Sequence, residues 1–166
     1  MSEKTEKRNS GSKPKATTDK PRKYFLHWYT NDFQRVAMVL VGDVKAAAPE
    51  LRRAWEKRTA ADKVIAAFED ISGGFDYANL VANKSGVATK LDGGGVSVAW
   101  FPVIPTDPVL VHELTHCVQF MCEDLNIDDW EYQANMLEAL FGFFRDKLRE
   151  DSALPFSPPD GAKIEK

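Results

Sequence analysis

Three residues in the run VLVHELTHCVQF, namely His112, Glu113 and His116, have the types and spacing to hold a metal ion and put it to use. Positions four apart on an α-helix differ by about 40° around the axis, so the two imidazoles project from one face and can grip one ion. Glu113 is set about 100° from His112, beside such an ion rather than on it. A carboxylate there can take a proton from metal-bound water and later pass it to a leaving amine. Zn2+ suits this set, because two imidazoles and a carboxylate are its catalytic ligands and leave a position open for water. With only 3 His in 166 residues, the pattern is expected by chance about 0.004 times. Val109, Leu110, Val111, Leu114, Cys117 and Val118 carry no charge, so the motif sits on a helix that can be buried, as a dry cleft requires.

The elements that must position this motif follow from periodicity and punctuation. Lys23 to Tyr29 and Val36 to Val41, either side of Thr30, Asn31 and Asp32, predict a hairpin. Ala46 to Arg58 and Ala60 to Ile71 have helical composition, with Pro49 tolerable in a first turn and Gly73 and Gly74 as a stop. Phe75 to Ala82 and Val96 to Phe101 read as strands, joined through a polar stretch in which Gly93, Gly94 and Gly95 can turn sharply. Asp107 is placed to cap a buried helix from Pro108 to about Asn126. A second helix is expected from about Asp128 to Arg149, with Trp130, Leu137, Phe141, Phe144 and Leu148 recurring at three and four residues.

The length of 166 residues suits one domain, and 43% hydrophobic residues suffice for a core, which excludes a wholly disordered chain. No apolar run reaches the roughly 18 residues of a membrane span, and the first twenty positions do not form a signal peptide, so a cytoplasmic chain is expected. Cys117 and Cys122 are five apart on one helix and point about 140° apart, which prevents a bridge and suits a reducing compartment. The net charge of -3 is unevenly spread: Met1 to Lys23 holds eight basic and three acidic residues, hence +5, and the remainder carries -8. The expected organisation is a flexible basic tail over 1–22, one domain over 23–150 and a second loose tail over 151–166. The basic tail solubilises the chain, or touches an acidic partner or nucleic acid.

The pentad HELTH resembles the motif of the zincin metallopeptidases. In the metzincin branch a Gly and a third His follow three and six residues after the second His, and here those positions hold Gln119 and Cys122. The gluzincin branch takes its third ligand from a Glu on a following helix. The resemblance therefore implies Glu131, with Glu138 as the rival because two helical turns put it on the face that carries Glu131 and Asn135. Whichever residue does not ligate would then support the ligands from behind. The run EYQANMLEALF, starting at Glu131, is also similar to the E-x-x-A-N signature of ImmA/IrrE-type peptidases, and the short gap after HELTH resembles small phage-encoded zincin-like proteins.

That resemblance implies an α+β fold: a zincin-like minimal domain whose small, mostly antiparallel sheet packs on the HExxH helix and on the helix after it. It implies hydrolysis of a peptide or protein substrate with Zn2+ on His112, His116 and Glu131, and Glu113 as general base. Val96 to Phe101 is placed as zincin edge strands are, so an extended substrate could add to it. Tyr132 and His27 are the candidates for stabilising an oxyanion. A phage-encoded chain would act in the host cytoplasm or the virion. The alternative is a catalytically inactive zincin-like protein, kept for binding or as a virion-associated structural part, with the basic tail as anchor.

Overall fold

The computed structural model describes residues 20–54, 58–73, 80, 85–91 and 95–159. The chain runs β1 (Tyr24–Thr30), β2 (Val36–Gly42), α1 (Val44–Ala54), α2 (Arg58–Gly73), β3 (Val87–Lys90), β4 (Val96–Phe101), α3 (Asp107–Leu125) and α4 (Trp130–Ser152). The strands form one sheet in the order β1-β2-β4-β3. Both hairpin pairs, β1 with β2 and β3 with β4, are antiparallel, and the central β2 with β4 is parallel. An α+β fold with a small, mostly antiparallel sheet is what the chain adopts.

A parallel pair needs a crossover, and α1 and α2 supply it on one face of the sheet while α3 and α4 cover the other. Side-chain alternation splits the two central strands accordingly. Ala37, Val39, Val41, Ala99 and Phe101 pack under α3 and α4, whereas Met38, Leu40, Val98 and Trp100 pack against α1 and α2. Buried on both faces, β2 reads as a continuous apolar run rather than an alternating one.

Local chemistry sets the boundaries. Asn31 Oδ1 accepts from the Phe33 and Arg35 amides at 3.0 and 2.9 Å and closes the β1–β2 turn. Asp43 caps α1 through the Lys45 and Ala46 amides, which starts that helix before Ala46 and leaves Pro49 inside it rather than in its first turn. The N-cap of α3 is Thr106, with Asp107 and Pro108 already helical, so Asp107 is a first-turn acid and not the cap. Asn126, left-handed at φ 53°, ends α3 with its amide turned back to Cys122 and Glu123. Asp129 then caps α4 by accepting from the Glu131 and Tyr132 amides. A turn this short makes α3 and α4 antiparallel neighbours, and Arg149 at the end of α4 accordingly lies 3.8 Å from Asp107 at the start of α3.

The structure corrects several expectations. The strand pairing with β4 on its outer side is Val87–Lys90, within the stretch read as a polar connection, because Val87 and Thr89 supply the β-branched residues that pack toward α2. The expected strand Phe75 to Ala82 lies outside the described residues apart from Leu80. Trp130, counted into the apolar stripe of the last helix, is 79% exposed; it precedes the first residue of α4 that packs inward, Tyr132. Residues 153–159, expected to be loose, lie against the sheet: the Arg22 amide donates to the Pro155 carbonyl, Ser157 N–H to the Arg22 carbonyl, and Phe156 stacks on Phe25 at 5.2 Å.

Candidate metal centre

The three motif residues sit on α3, whose buried face is Leu110, Leu114, Cys117, Val118, Met121 and Cys122. His112 and His116 are each about 160° from Leu114, on opposite sides of it, so both project from the outer face of the helix. Their rings meet edge to face with centroids 4.9 Å apart, close enough to share one ion. His112 is exposed and His116 partly buried, which places the pair at an open surface rather than in the dry cleft expected. His116 Nδ1 lies 3.3 Å from Gln119 Oε1, one turn on, and its ring stacks on Phe120. Donation from Nδ1 to that carbonyl oxygen leaves Nε2 as the ring's free lone pair.

Glu113 is the one buried member, 6% exposed, on the flank of α3 that faces β3. Burial raises its pKa, and the two neighbouring imidazoles and the Ala88 backbone oppose the rise. The Ala88 amide is free to do so because of strand phase. Leu91 N–H donates to the Val96 carbonyl at 3.0 Å, so the hydrogen-bonded pairs along β3 and β4 fall at Leu91, Thr89 and Val87. The backbone groups of Ala88 and Lys90 therefore point away from the sheet, toward α3. Lys90 ties the same edge to α3 through Glu123 at 2.8 Å.

This arrangement moves the edge strand. Val96–Phe101 is flanked on both sides, by β2 and β3, so it has no free edge, and among the described residues the strand beside Glu113 that has one is Val87–Lys90.

The remaining candidates are not brought to the histidines. Glu131, Asn135 and Glu138 are all exposed and lie on the side of α4 opposite Leu140, the centre of its packed face. Counting back from the Arg149–Asp107 contact, Glu131 stands about 13 Å along the helix axis from the level of His116. Among the described residues no group of three His, Cys, Asp or Glu side chains could hold a metal ion. The two imidazoles thus fit two corners of a zinc site, and the third protein donor is not joined to them. His27 lies on β1, at the opposite edge of the sheet from β3, roughly three strand spacings or 14 Å away, and it pairs with Asp151 instead. Tyr132 points under the β1–β2 turn, with its ring against Phe33 at 6.1 Å. Neither is positioned to stabilise an oxyanion beside Glu113.

Two partners of the motif were not visible to sequence reasoning, Gln119 and Ala88. Gln119 at i+3 from His116 is a helical neighbour that spacing could have flagged; the role of Ala88 depends on strand phase, which no local pattern encodes. Among the described residues no helix is long and apolar enough to cross a membrane. Compared with family models, with curated proteins and with solved structures, the chain finds no match.

Proposed function

We propose that this protein is a zinc-dependent peptidase with its hydrolytic centre at His112, Glu113 and His116. The observation that carries the reading is a buried carboxylate, made more basic by burial, on the helix flank beside two imidazoles whose rings meet and next to the outward amide of an edge strand. Bound zinc supplies the Lewis acidity that polarises a peptide carbonyl and acidifies water. Glu113 accepts a proton and returns it to the leaving amine, and the burial that raises its pKa makes it a stronger base for the first transfer. With the Ala88 amide held by Glu113, the Ala88 carbonyl and the outward backbone groups of Lys90 are what bind an extended peptide as an added strand.

The test is zinc content per chain in the wild type, His116→Ala and Glu131→Ala, with peptide hydrolysis measured for Glu113→Gln. Near one zinc per chain is expected in the wild type, with zinc lost in His116→Ala. Retention in Glu131→Ala follows from the outward position of that residue; loss would mean that α4 rearranges when metal binds. Glu113→Gln is expected to keep its zinc and melting temperature while losing hydrolysis. No zinc in the wild type even after adding it back would overturn the proposal.

The second reading, a zincin-like binding or virion-associated structural protein without catalysis, is favoured by one observation: among the described residues no third donor stands with the histidines. Under it, Glu113→Gln leaves biological function intact and deletion of Met1 to Lys23 abolishes it.

A further inference from the structure

At the end of the sheet that carries the β1–β2 turn, three hydrogen-bonding groups are buried with no partner among the described residues: Asn31 Nδ2, Arg35 Nε and the Tyr132 hydroxyl. Asn31 is 6% exposed. Its Oδ1 accepts from two backbone amides, which fixes the orientation of the side-chain amide and makes the orphan atom a donor.

The three groups belong to one place. Asn31 and Arg35 face each other across the β1–β2 turn, the Asn31 amide donating to the Arg35 carbonyl at 2.9 Å. The period of two that puts Phe25 and Tyr29 on the α3/α4 side of β1 puts Asn31 there, and the period that puts Ala37 there puts Arg35 there. Tyr132 reaches the same turn from α4, its ring edge-on to Phe33 between the other two. Arg35 Nη1 sits beside Gly95, 3.0 Å from where a Cβ would stand.

Asp32, next to Asn31 in the turn, is exposed and near enough to the Tyr132 hydroxyl to help raise its pKa, yet accepts from none of the three groups; the other nearby acids are engaged. Asp124 accepts from the Gly95 amide at 2.8 Å and Glu123 from Lys90 at 2.8 Å, and Arg35 forms no ion pair among the described residues.

A buried donor without an acceptor is costly, and the Arg35 Nε is closed off from solvent although the residue as a whole is only partly buried, so such a cluster calls for a ligand. Asn31 Nδ2 and Arg35 Nε can only donate, the Tyr132 hydroxyl can donate as well, and one of the three is cationic, which excludes a metal ion. A single water can accept from Asn31 and Arg35 and donate to the Tyr132 oxygen, but it brings no charge to set against the guanidinium. A carboxylate or phosphate offers more acceptor positions and the missing negative charge. We propose that Asn31, Arg35 and Tyr132 form a binding site for a small oxyanion, separate from the metal centre and independent of it.

The experiment is thermal unfolding of the full chain in sodium acetate, phosphate or sulfate against sodium chloride at equal ionic strength, for the wild type, Arg35→Met and Tyr132→Phe. The wild type is expected to gain roughly 3 °C, saturably, in at least one oxyanion over chloride. The gain should vanish in Arg35→Met and shrink in Tyr132→Phe, which removes one donor and little volume. Should Arg35→Met fail to fold, Tyr132→Phe decides alone. Acetate acting where phosphate and sulfate do not would identify a carboxylate ligand, and the reverse a tetrahedral anion. Equal melting in oxyanion and chloride overturns the site. So does an oxyanion gain of the same size in Tyr132→Phe as in the wild type, since preferential exclusion of these salts stabilises every variant alike.

Discussion

His27 and Asp151 meet at 2.5 Å, joining the first strand of the sheet to the last turn of the last helix. Asp151 is buried, and a carboxylate at a helix C-terminus faces the unfavourable end of the backbone dipole, so the imidazole is the group that makes its position tolerable. Removing the ring leaves a buried acceptor without its partner. His27→Ala is therefore expected to destabilise the fold by about 1–3 kcal/mol. The double variant His27→Ala/Asp151→Ala should lose less than the sum of the two single variants, in denaturant titrations of all four proteins. Additive losses would show that the two residues do not depend on each other.

Gly42 ends β2 at φ 97°, and a Cβ there would stand 2.4 Å from the Lys23 carbonyl oxygen and 3.1 Å from the Phe156 ring. The carbonyl belongs to the backbone and cannot swing aside. Gly42→Ala should cost about 1–3 kcal/mol in chemical denaturation, with the C-terminal segment the first to become protease-sensitive. Unchanged stability would mean that the β1–β2 pair ends differently in solution.

Cys117 lies under the sheet, where burial pushes its thiol up to about 12 against a modest pull from Ser97. With so little thiolate present, iodoacetamide at pH 8 should leave Cys117 unmodified in the folded chain and label it promptly in urea. Mass spectrometry of the tryptic peptide reads this directly. Fast labelling without denaturant would reveal frequent opening of α3.

Tyr24 donates to Glu50 at 2.7 Å, and burial, reinforced by that bond, lifts its phenol from 10.0 to about 12. The folded pKa exceeds the unfolded one, so the stabilisation is complete below about pH 10 and disappears as pH rises through about 12. Urea titrations stepped across that window should show wild-type stability falling more steeply than that of Tyr24→Phe. Parallel curves would remove Tyr24 as the source.

The helix that carries the proposed metal site and the helix after it are legible in the sequence because their signals are local. Three- and four-residue spacing, Asn126 after the last packed turn and Asp129 before the next one bound α3 and α4 closely. The hairpin was equally plain from β-branched residues around Asn31. What stayed hidden depends on contacts between distant segments. That β3 rather than β4 forms the free edge follows from strand order, and a four-residue strand with alternating Val87 and Thr89 is too short to stand out from a loop. Spacing places Glu131 on a helix but cannot say which side of it faces α3; the inward positions are set by Tyr132, Met136 and Leu140, which turn Glu131 outward. His27 and Tyr132 are ordinary residues in a linear reading, and only the fold assigns one to Asp151 and the other to the β1–β2 turn.

Because β4 slots between β2 and β3, the hairpin made first during synthesis must wait for a neighbour that is translated much later. At about 5–20 residues per second, a ribosome needs roughly 3–12 s to pass from Gly42 to Phe101. Throughout that interval β2, an uncharged run buried from Ala37 to Gly42 in the finished protein, has one raw edge and both faces open. A chain terminated before Val96 should accordingly be recovered as aggregate, soluble only when a holdase is co-expressed. The parallel centre of this small sheet thus makes the emerging polypeptide dependent on whatever shields it at the exit tunnel.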